Sequence, residues 1–406
     1  MHKIIADHMK SKSVLFSILL SYAVMISCSD KKIEPVDYVN PYMGNISHLL
    51  VPTYPTVHLP NSMLRFYPNR DNYTSNQVQG FPLNVVSHRS GKVFNLSPFE
   101  GDIREINGNI LYTYDNEVVN PYCYSVSLDE PDIDVKFIPA ERSGIFSFRF
   151  NEGSYPGIIL KTTNQGELRF ENNSITGYDT YDKVKAYLYL EFERKPENVK
   201  VRDSDVVSES TSVRGNRIAM IANFDNSASE IKIRYGLSYI SAEQAGKNLH
   251  NDIPGWDLNE ISDNAREKWN KVLSGIETEG GSENQRSVFY TSLYRCFERM
   301  VDITEDGQYF STWSNKVEPA KDTAFYTDDW VWDTHLALHP LQVIMNPDEQ
   351  DEKISSYIRM ARQSGWMPTF PTISGDNHAM NGNHSAAVIL DAWNKGIRNF
   401  DLEEAY

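Results

Sequence analysis

Three aspartates crowd around two tryptophans in the run Asp328-Asp329-Trp330-Val331-Trp332-Asp333. Two carboxyl groups flanking a glycosidic bond can act as general acid and general base, and inversion needs them about 6.5–9.5 Å apart to admit a water. Neighbours on one short loop cannot easily flank a sugar ring in that way. A holding role is the better reading: Asp333 can accept hydrogen bonds from ligand hydroxyls while Trp332 offers a ring face. The competing reading is a Trp-Asp turn that caps a helix running through Leu338. A second polar run, Ser374 to His384, follows Pro368 and Pro371 and leads into a helix. Loops at helix ends are where function gathers. His378 and His384, six residues apart, do not by themselves make a metal site.

The chain that must position these residues has 406 of them, with 40% hydrophobic and 23% charged residues, enough for two cores and too apolar for disorder. Its formal charge of −16 repels nucleic acid, and no local basic patch offsets it. The 7 Trp, 23 Tyr and 18 Phe suit neutral sugars, whose C–H faces stack on rings, and equally suit a large core. Lys3, Lys10 and Lys12 precede the apolar run Val14 to Ile26, which is too short to cross a bilayer and matches a secretory signal. The run closes on Met25-Ile26-Ser27-Cys28, which resembles a bacterial lipoprotein signal with Cys28 as the lipidated first residue. Export and a lipid anchor to the bacterial cell envelope are the expectation. The remaining cysteines, Cys123 and Cys296, imply neither a disulfide framework nor a zinc site.

Behind a tether at 28–35, residues 36–250 read as a β-sandwich domain. Period-two runs such as Ile133 to Ile138, Ile145 to Phe150, Ala186 to Phe192 and Ile231 to Tyr235 alternate with Gly, Asn, Asp and Pro clusters. Residues 251–282 read as a linker helix: Asp257-x-x-Glu260 is a start signal, and Leu258, Ile261, Ala265, Trp269, Val272 and Leu273 share one stripe. From 283 the pattern is all-helical with long loops. Ser282-x-x-Gln285 caps a helix whose stripe reaches Met300, and further helices are predicted over Lys353 to Arg362 and Ser385 to Lys395. Asp401-x-x-Glu404 is another helix start, and a single unpacked turn is unstable.

These segments together resemble glycoside hydrolase family 92. Tyr38-Val-Asn-Pro-Tyr-Met-Gly44 resembles the family's opening strand, Ile240 to Leu249 the end of its sandwich, and Phe289 to Tyr294 its first barrel helix. Val331-Trp-Asp-Thr334, Leu338-His-Pro-Leu341, Gly365-Trp-Met-Pro368, Met380-x-Gly-x-His384, Asp391-Ala392, Lys395-Gly396 and Phe400 to Tyr406 follow in the family's order. The resemblance implies an amino-terminal β-sandwich (a supersandwich) followed by a helical linker and an (α/α)6 barrel. It implies a calcium-dependent, exo-acting, inverting α-mannosidase, acting on α-1,2-linked mannose of mannose-containing glycans. Twelve helices of about 11 residues with loops of about 5 need roughly 190 residues. The 124 residues from Glu283 leave the barrel incomplete. By the same resemblance the general acid and base lie beyond Tyr406, and 1–406 is expected to be inactive alone.

The resemblance places Trp332 and Asp333 in the terminal-mannose subsite, and puts Asp376, where the family commonly carries Glu, and His384 along the sugar site. Two departures stand out. The family's glycine-rich loop is replaced by Asn45 to Pro55, whose His48 is a candidate to reach the pocket across the domain junction, and His335 stands where Arg is usual. Lost glycines keep a backbone from close approach to a ligand, which suggests a reshaped pocket. Calcium wants six to eight oxygen ligands, and no EF-hand-like run supplies them. The rival readings are a non-catalytic glycan-binding lipoprotein and another sandwich-plus-(α/α)6 sugar enzyme, such as a disaccharide phosphorylase.

Overall fold

The computed structural model describes residues 33–46, 53–72, 75–87, 91–101, 110–321, 323–380 and 382–406. The export signal with Cys28, and His48, lie outside the described residues.

Strand periodicity becomes two antiparallel sheets. The larger has ten strands, running in space from Ser212–Asn216 at one edge through Val184–Phe192, Glu230–Ser238, Ser143–Arg149 and Ile133–Pro139 to Gln77–Val78 at the other. The smaller has five, with Ala219–Asn223 and Pro156–Lys161 at its centre. Strand Val184–Phe192 alternates buried and part-exposed residues along its length, as a strand with two different faces must. Register aligns Phe146 with Phe137 on one side and Ile233 on the other. The rings of Phe66, Phe137 and Phe146 meet at centroid distances of 4.2 and 4.7 Å on the inner face. Alternate residues of the same strands, Ile138 and Ile145, face outward into a second core shared with the helices.

That second core explains why the chain turns helical where it does. Helix Ala242–Asp252 lies directly on the large sheet at Gly236, where an added Cβ would stand 2.1 Å from the Ala245 carbonyl oxygen. Only a residue without a side chain admits such close packing. Helix Leu258–Leu273 follows, with Asp257 accepting from the N–H groups of Asn259 and Glu260. It buries the predicted stripe residues Ala265, Trp269 and Leu273. The Trp269 indole donates to the His58 carbonyl at 2.8 Å. Helix Glu283–Arg295 opens on the predicted Ser282/Gln285 capping box. Helices Leu338–Met345, Pro347–Ser364, His384–Asn394 and Leu402–Ala405 complete the described helical region.

The expectation of an all-helical region after 283 is corrected. Helix Glu283–Arg295 stops before Met300, and Val301–Asp302 pairs with Tyr326–Thr327, Gln308–Ser311 with Lys316–Pro319, and Pro371–Thr372 with Gly375–Asp376. The left-handed backbone of Asp306, Gly307 and Asn315 turns this part of the chain, and no helical stripe survives such turns. Cys123 and Cys296 are free thiols.

Candidate functional site

The run from Tyr326 to Thr334 leaves a strand and enters one helical turn, Val331–Thr334. This geometry sorts the three aspartates. Asp328 and Asp329 are buried, whereas Asp333 and Trp332 are exposed, the latter at 49%. The Asp333 carboxylate has no hydrogen-bond or ion-pair partner among the described residues.

Asp328 sits at φ +66°, a left-handed conformation that Asp tolerates better than most residues. One of its oxygens is gripped by two guanidinium groups, Arg65 from the sandwich and Arg299 from the helical region. The Arg65 backbone is itself anchored on Asn84 at 2.9 Å. Arg299 lies over the Trp330 ring, 4.1 Å from its centroid, and Trp330 stacks on Phe370 at 5.9 Å. Asp329 is held separately. It accepts from Thr334 Oγ1 at 2.9 Å and from the Tyr357 hydroxyl, with His339 Nε2 at 2.9 Å and Gln350 behind that ring. Burial pushes the Asp329 carboxyl up, but His339 and these hydrogen bonds outweigh it and hold the group below the usual carboxylate range. Carboxylates held this way cannot swing to meet a substrate; they fix the turn that displays Trp332 and Asp333.

His384 opens its helix and stacks on His335 at 4.2 Å, so the Met380-x-Gly-x-His384 segment does reach the Trp332–Asp333 turn. Asp376 is used differently. Its carboxylate accepts from the backbone N–H groups of Phe370 at 2.7 Å and Thr369 at 2.9 Å, and is 7% exposed. It shapes the loop carrying Phe370, and thereby touches the site at one remove, through Trp330.

Beside this turn, a cavity of about 170 Å³ opens between the two halves of the molecule. Thr53, Tyr54, Arg65 and Tyr67 line it from the sandwich side, and Arg295, Glu298, Arg299, Trp330 and Thr334 from the other. Burial raises the Glu298 carboxyl, but Arg299 and its neighbours outweigh that and hold it low. Arg295 ties the opening loop down by donating to the carbonyls of Pro41 at 2.9 Å and Tyr54 at 3.2 Å. Sequence reasoning did not single out Arg65, Arg299, His339 or Tyr357. For Arg65 a signal existed: a charge inside the apolar run Met63-Leu-Arg-Phe-Tyr67 must find a buried partner. Among the described residues, no group of three or more His, Cys, Asp or Glu is placed to hold a metal ion. The described carboxylates therefore do not by themselves assemble a calcium cage.

A strand-built module thus meets a helical region at a cleft, and an exposed aromatic–carboxylate pair belongs to the turn beside it. Residues 38–238 match the model of the glycosyl hydrolase family 92 N-terminal domain, and residues 244–406 that of its catalytic domain. The chain belongs to glycosyl hydrolase family 92. It superposes on a family 92 inverting mannosidase from Bacteroides thetaiotaomicron with a TM-score of 0.85 at 28% identity, covering 93% of this chain and 55% of that one. A family 92 α-mannosidase from the same organism, in complex with mannoimidazole, shares the fold with a TM-score of 0.85 at 22% identity, over 92% of this chain and 55% of that one. An uncharacterized secreted glycosidase from Arthroderma benhamiae is 26% identical over 186 residues, 45% of this chain and 20% of that protein. The chain thus spans about half the length of the solved relatives and less of the curated one.

Proposed function

We propose that this chain supplies the sandwich and the sugar-holding part of an exo-acting α-mannosidase, which trims terminal α-1,2-linked mannose from glycans by single displacement with inversion. The observation that carries this reading is the sorting of the aspartates. Two are locked inside to build a turn, and the third is left without a partner among the described residues, beside an exposed tryptophan, in the turn whose Trp330 and Thr334 line the cavity between the two halves. A sugar hydroxyl can donate to Asp333 while the ring of Trp332 covers a C–H face. His384, backed by His335, adds a polar edge. Asp376 and the Arg65–Asp328–Arg299 clamp hold the frame. Neither acid nor base is assigned to a described residue, and we infer that 1–406 alone binds mannosides without cleaving them. Export through the amino-terminal signal and lipidation at Cys28 complete the proposal; the name of the fungal relative supports export.

The test is turnover of the full-length protein on linkage-defined mannobiosides, with NMR reading the anomer first released. β-Mannose is expected; α-mannose as the first product excludes inversion. Asp333→Ala is expected to lower kcat/KM by about 10- to 150-fold, the worth of hydrogen bonds to a charged group, without a change in melting temperature. Near-normal kinetics remove Asp333 from the site. No step above runs through calcium, and a chelator added to the same assay tests that expectation separately.

A further inference from the structure

The outer face of the ten-stranded sheet is covered only in part. Over Ile138, Ile145 and Tyr189 the helices Ala242–Asp252 and Leu258–Leu273 pack on it. Further along the same strands the face stays open among the described residues, and a groove of about 780 Å³ lies there, within the usual range of about 300–1,000 Å³ for ligand sites. It shares no lining residue with the cavity beside Trp330.

The groove is built by register. One rung of its floor is Ser125, Lys136, Ser147 and Lys232, each opposite the next on neighbouring strands. The adjacent rung is Ser127, Asp134, Arg149 and Glu230. Its wall is Trp256, in the turn between the two helices, with the Arg234 guanidinium 4.6 Å from the ring centroid. Most charges on the floor are matched at once: Ser127 donates to Asp134 at 2.7 Å, Ser147 to Glu230 at 2.6 Å, and Lys232 to Glu193 at 3.2 Å. Lys136 and the Ser125 hydroxyl have no hydrogen-bond or ion-pair partner among the described residues.

The ligand class follows from that inventory. Three cations face four carboxylates around the groove, so no net field draws a polyanion in. The floor is too polar for an apolar guest, because every buried donor and acceptor would lose water without replacement. Hydroxyls, amines and carboxylates spaced about 4.8 Å apart from strand to strand offer donors and acceptors in alternation. A guest whose hydroxyls both donate and accept, and whose C–H face meets an indole, satisfies that pattern. We propose that the groove is a non-catalytic binding surface for a neutral oligosaccharide, separate from the Trp332–Asp333 turn. Resting on the mannosidase reading, its role is to raise the effective concentration of a polymeric glycan near the site that trims its ends.

The experiment is electrophoresis of the chain through native gels containing soluble yeast α-mannan, with retardation as the readout. Trp256→Ala removes the wall. Ser125→Trp fills the floor without touching Trp256, and so serves where the first variant fails to fold. Both are expected to lower the retardation constant at least about fivefold, the factor for one stacking contact of about 1 kcal/mol, while Trp332→Ala keeps most of it. The proposal is overturned if neither groove variant changes the retardation, if Trp332→Ala alone abolishes it, or if the wild-type chain is not retarded at all. Failure of the mannosidase reading looks different: no mannose is released by the full-length protein, yet retardation through the groove persists. In an active full-length enzyme, Trp256→Ala is expected to raise KM for mannan and leave KM for a mannobioside unchanged.

Discussion

His58 offers a test of how the sandwich and the linker helix are joined. The ring is fully buried, packed against Trp269 at 5.3 Å and Tyr294 at 4.9 Å. Its Nδ1 lies 2.9 Å from the Leu59 carbonyl oxygen, and its Nε2 has no hydrogen-bond partner among the described residues. Burial is the main cause that pushes its pKa down to about 4; Glu298 and the Leu59 carbonyl pull it back up, and Arg65 and Arg295 add to the fall. An unfolded histidine titrates near about 6.5. Between those two values the unfolded chain binds a proton that the folded chain refuses, so stability is complete above about pH 6.5 and falls as the pH drops toward 4. A difference of about 2.5 units at about 1.4 kcal/mol each amounts to about 3 kcal/mol. His58→Phe keeps a ring in the stack and removes the titration. Other groups titrate over the same range in both proteins, so the informative quantity is the wild-type minus variant difference in denaturant stability, measured from pH 7.5 to 4. That difference should move against the wild type by about 3 kcal/mol, with most of the change between pH 6 and 4.5. Two parallel pH curves would show that the buried imidazole takes up its proton as easily as a free one, and the reasoning would fail.

Two further expectations follow from packing. Asp328→Asn keeps the shape and tolerates the left-handed backbone, but leaves Arg65 and Arg299 buried together without their shared counter-charge. Breaking such a group costs about 3–5 kcal/mol, and a thermal melt should show it, whereas an unchanged melt would mean that water already solvates the pair. Gly236→Ala drives a methyl group into the backbone of helix Ala242–Asp252. A loss of about 1–3 kcal/mol is expected from overpacking, and protection of the helix amides from hydrogen exchange should fall with it; a neutral substitution would mean that the helix can ride higher on the sheet.

Local pattern and long-range pairing were not equally legible. The strands at 133–139, 143–149, 184–192 and 230–238 were visible because each is at least seven residues long and carries a stretch of alternating character closed by turn residues. The short pairs after Val301 escaped notice because runs of two to four residues carry no measurable period. Trp332 and Asp333 could be singled out from type and spacing, but only the fold shows that both are exposed. That Asp328 and Asp329 turn the other way was not readable either, since their partners Arg65 and Tyr357 stand 263 and 28 residues away. Asp376 shows the same limit within a single loop: its polar neighbours announce a functional segment, but only the fold shows the carboxylate bonded to the backbone of residues 369 and 370.

The clamp on Asp328 also bears on why the two halves belong together. A helical region carrying Arg299, Trp330 and the Trp332–Asp333 turn has the aromatic stack on Phe370 and the Asp329–His339–Tyr357 network within its own sequence. What it lacks is the second guanidinium. Arg65 enters from strand Arg65–Phe66, whose position is set by pairing with Val57–His58 and by the Phe66 ring in the sandwich core. The backbone conformation at Asp328 is uncommon, and a single guanidinium on a buried carboxylate leaves it only partly compensated. The sandwich therefore contributes to the candidate site as a wall of the cleft and as half of the clamp that decides which way the next five residues face.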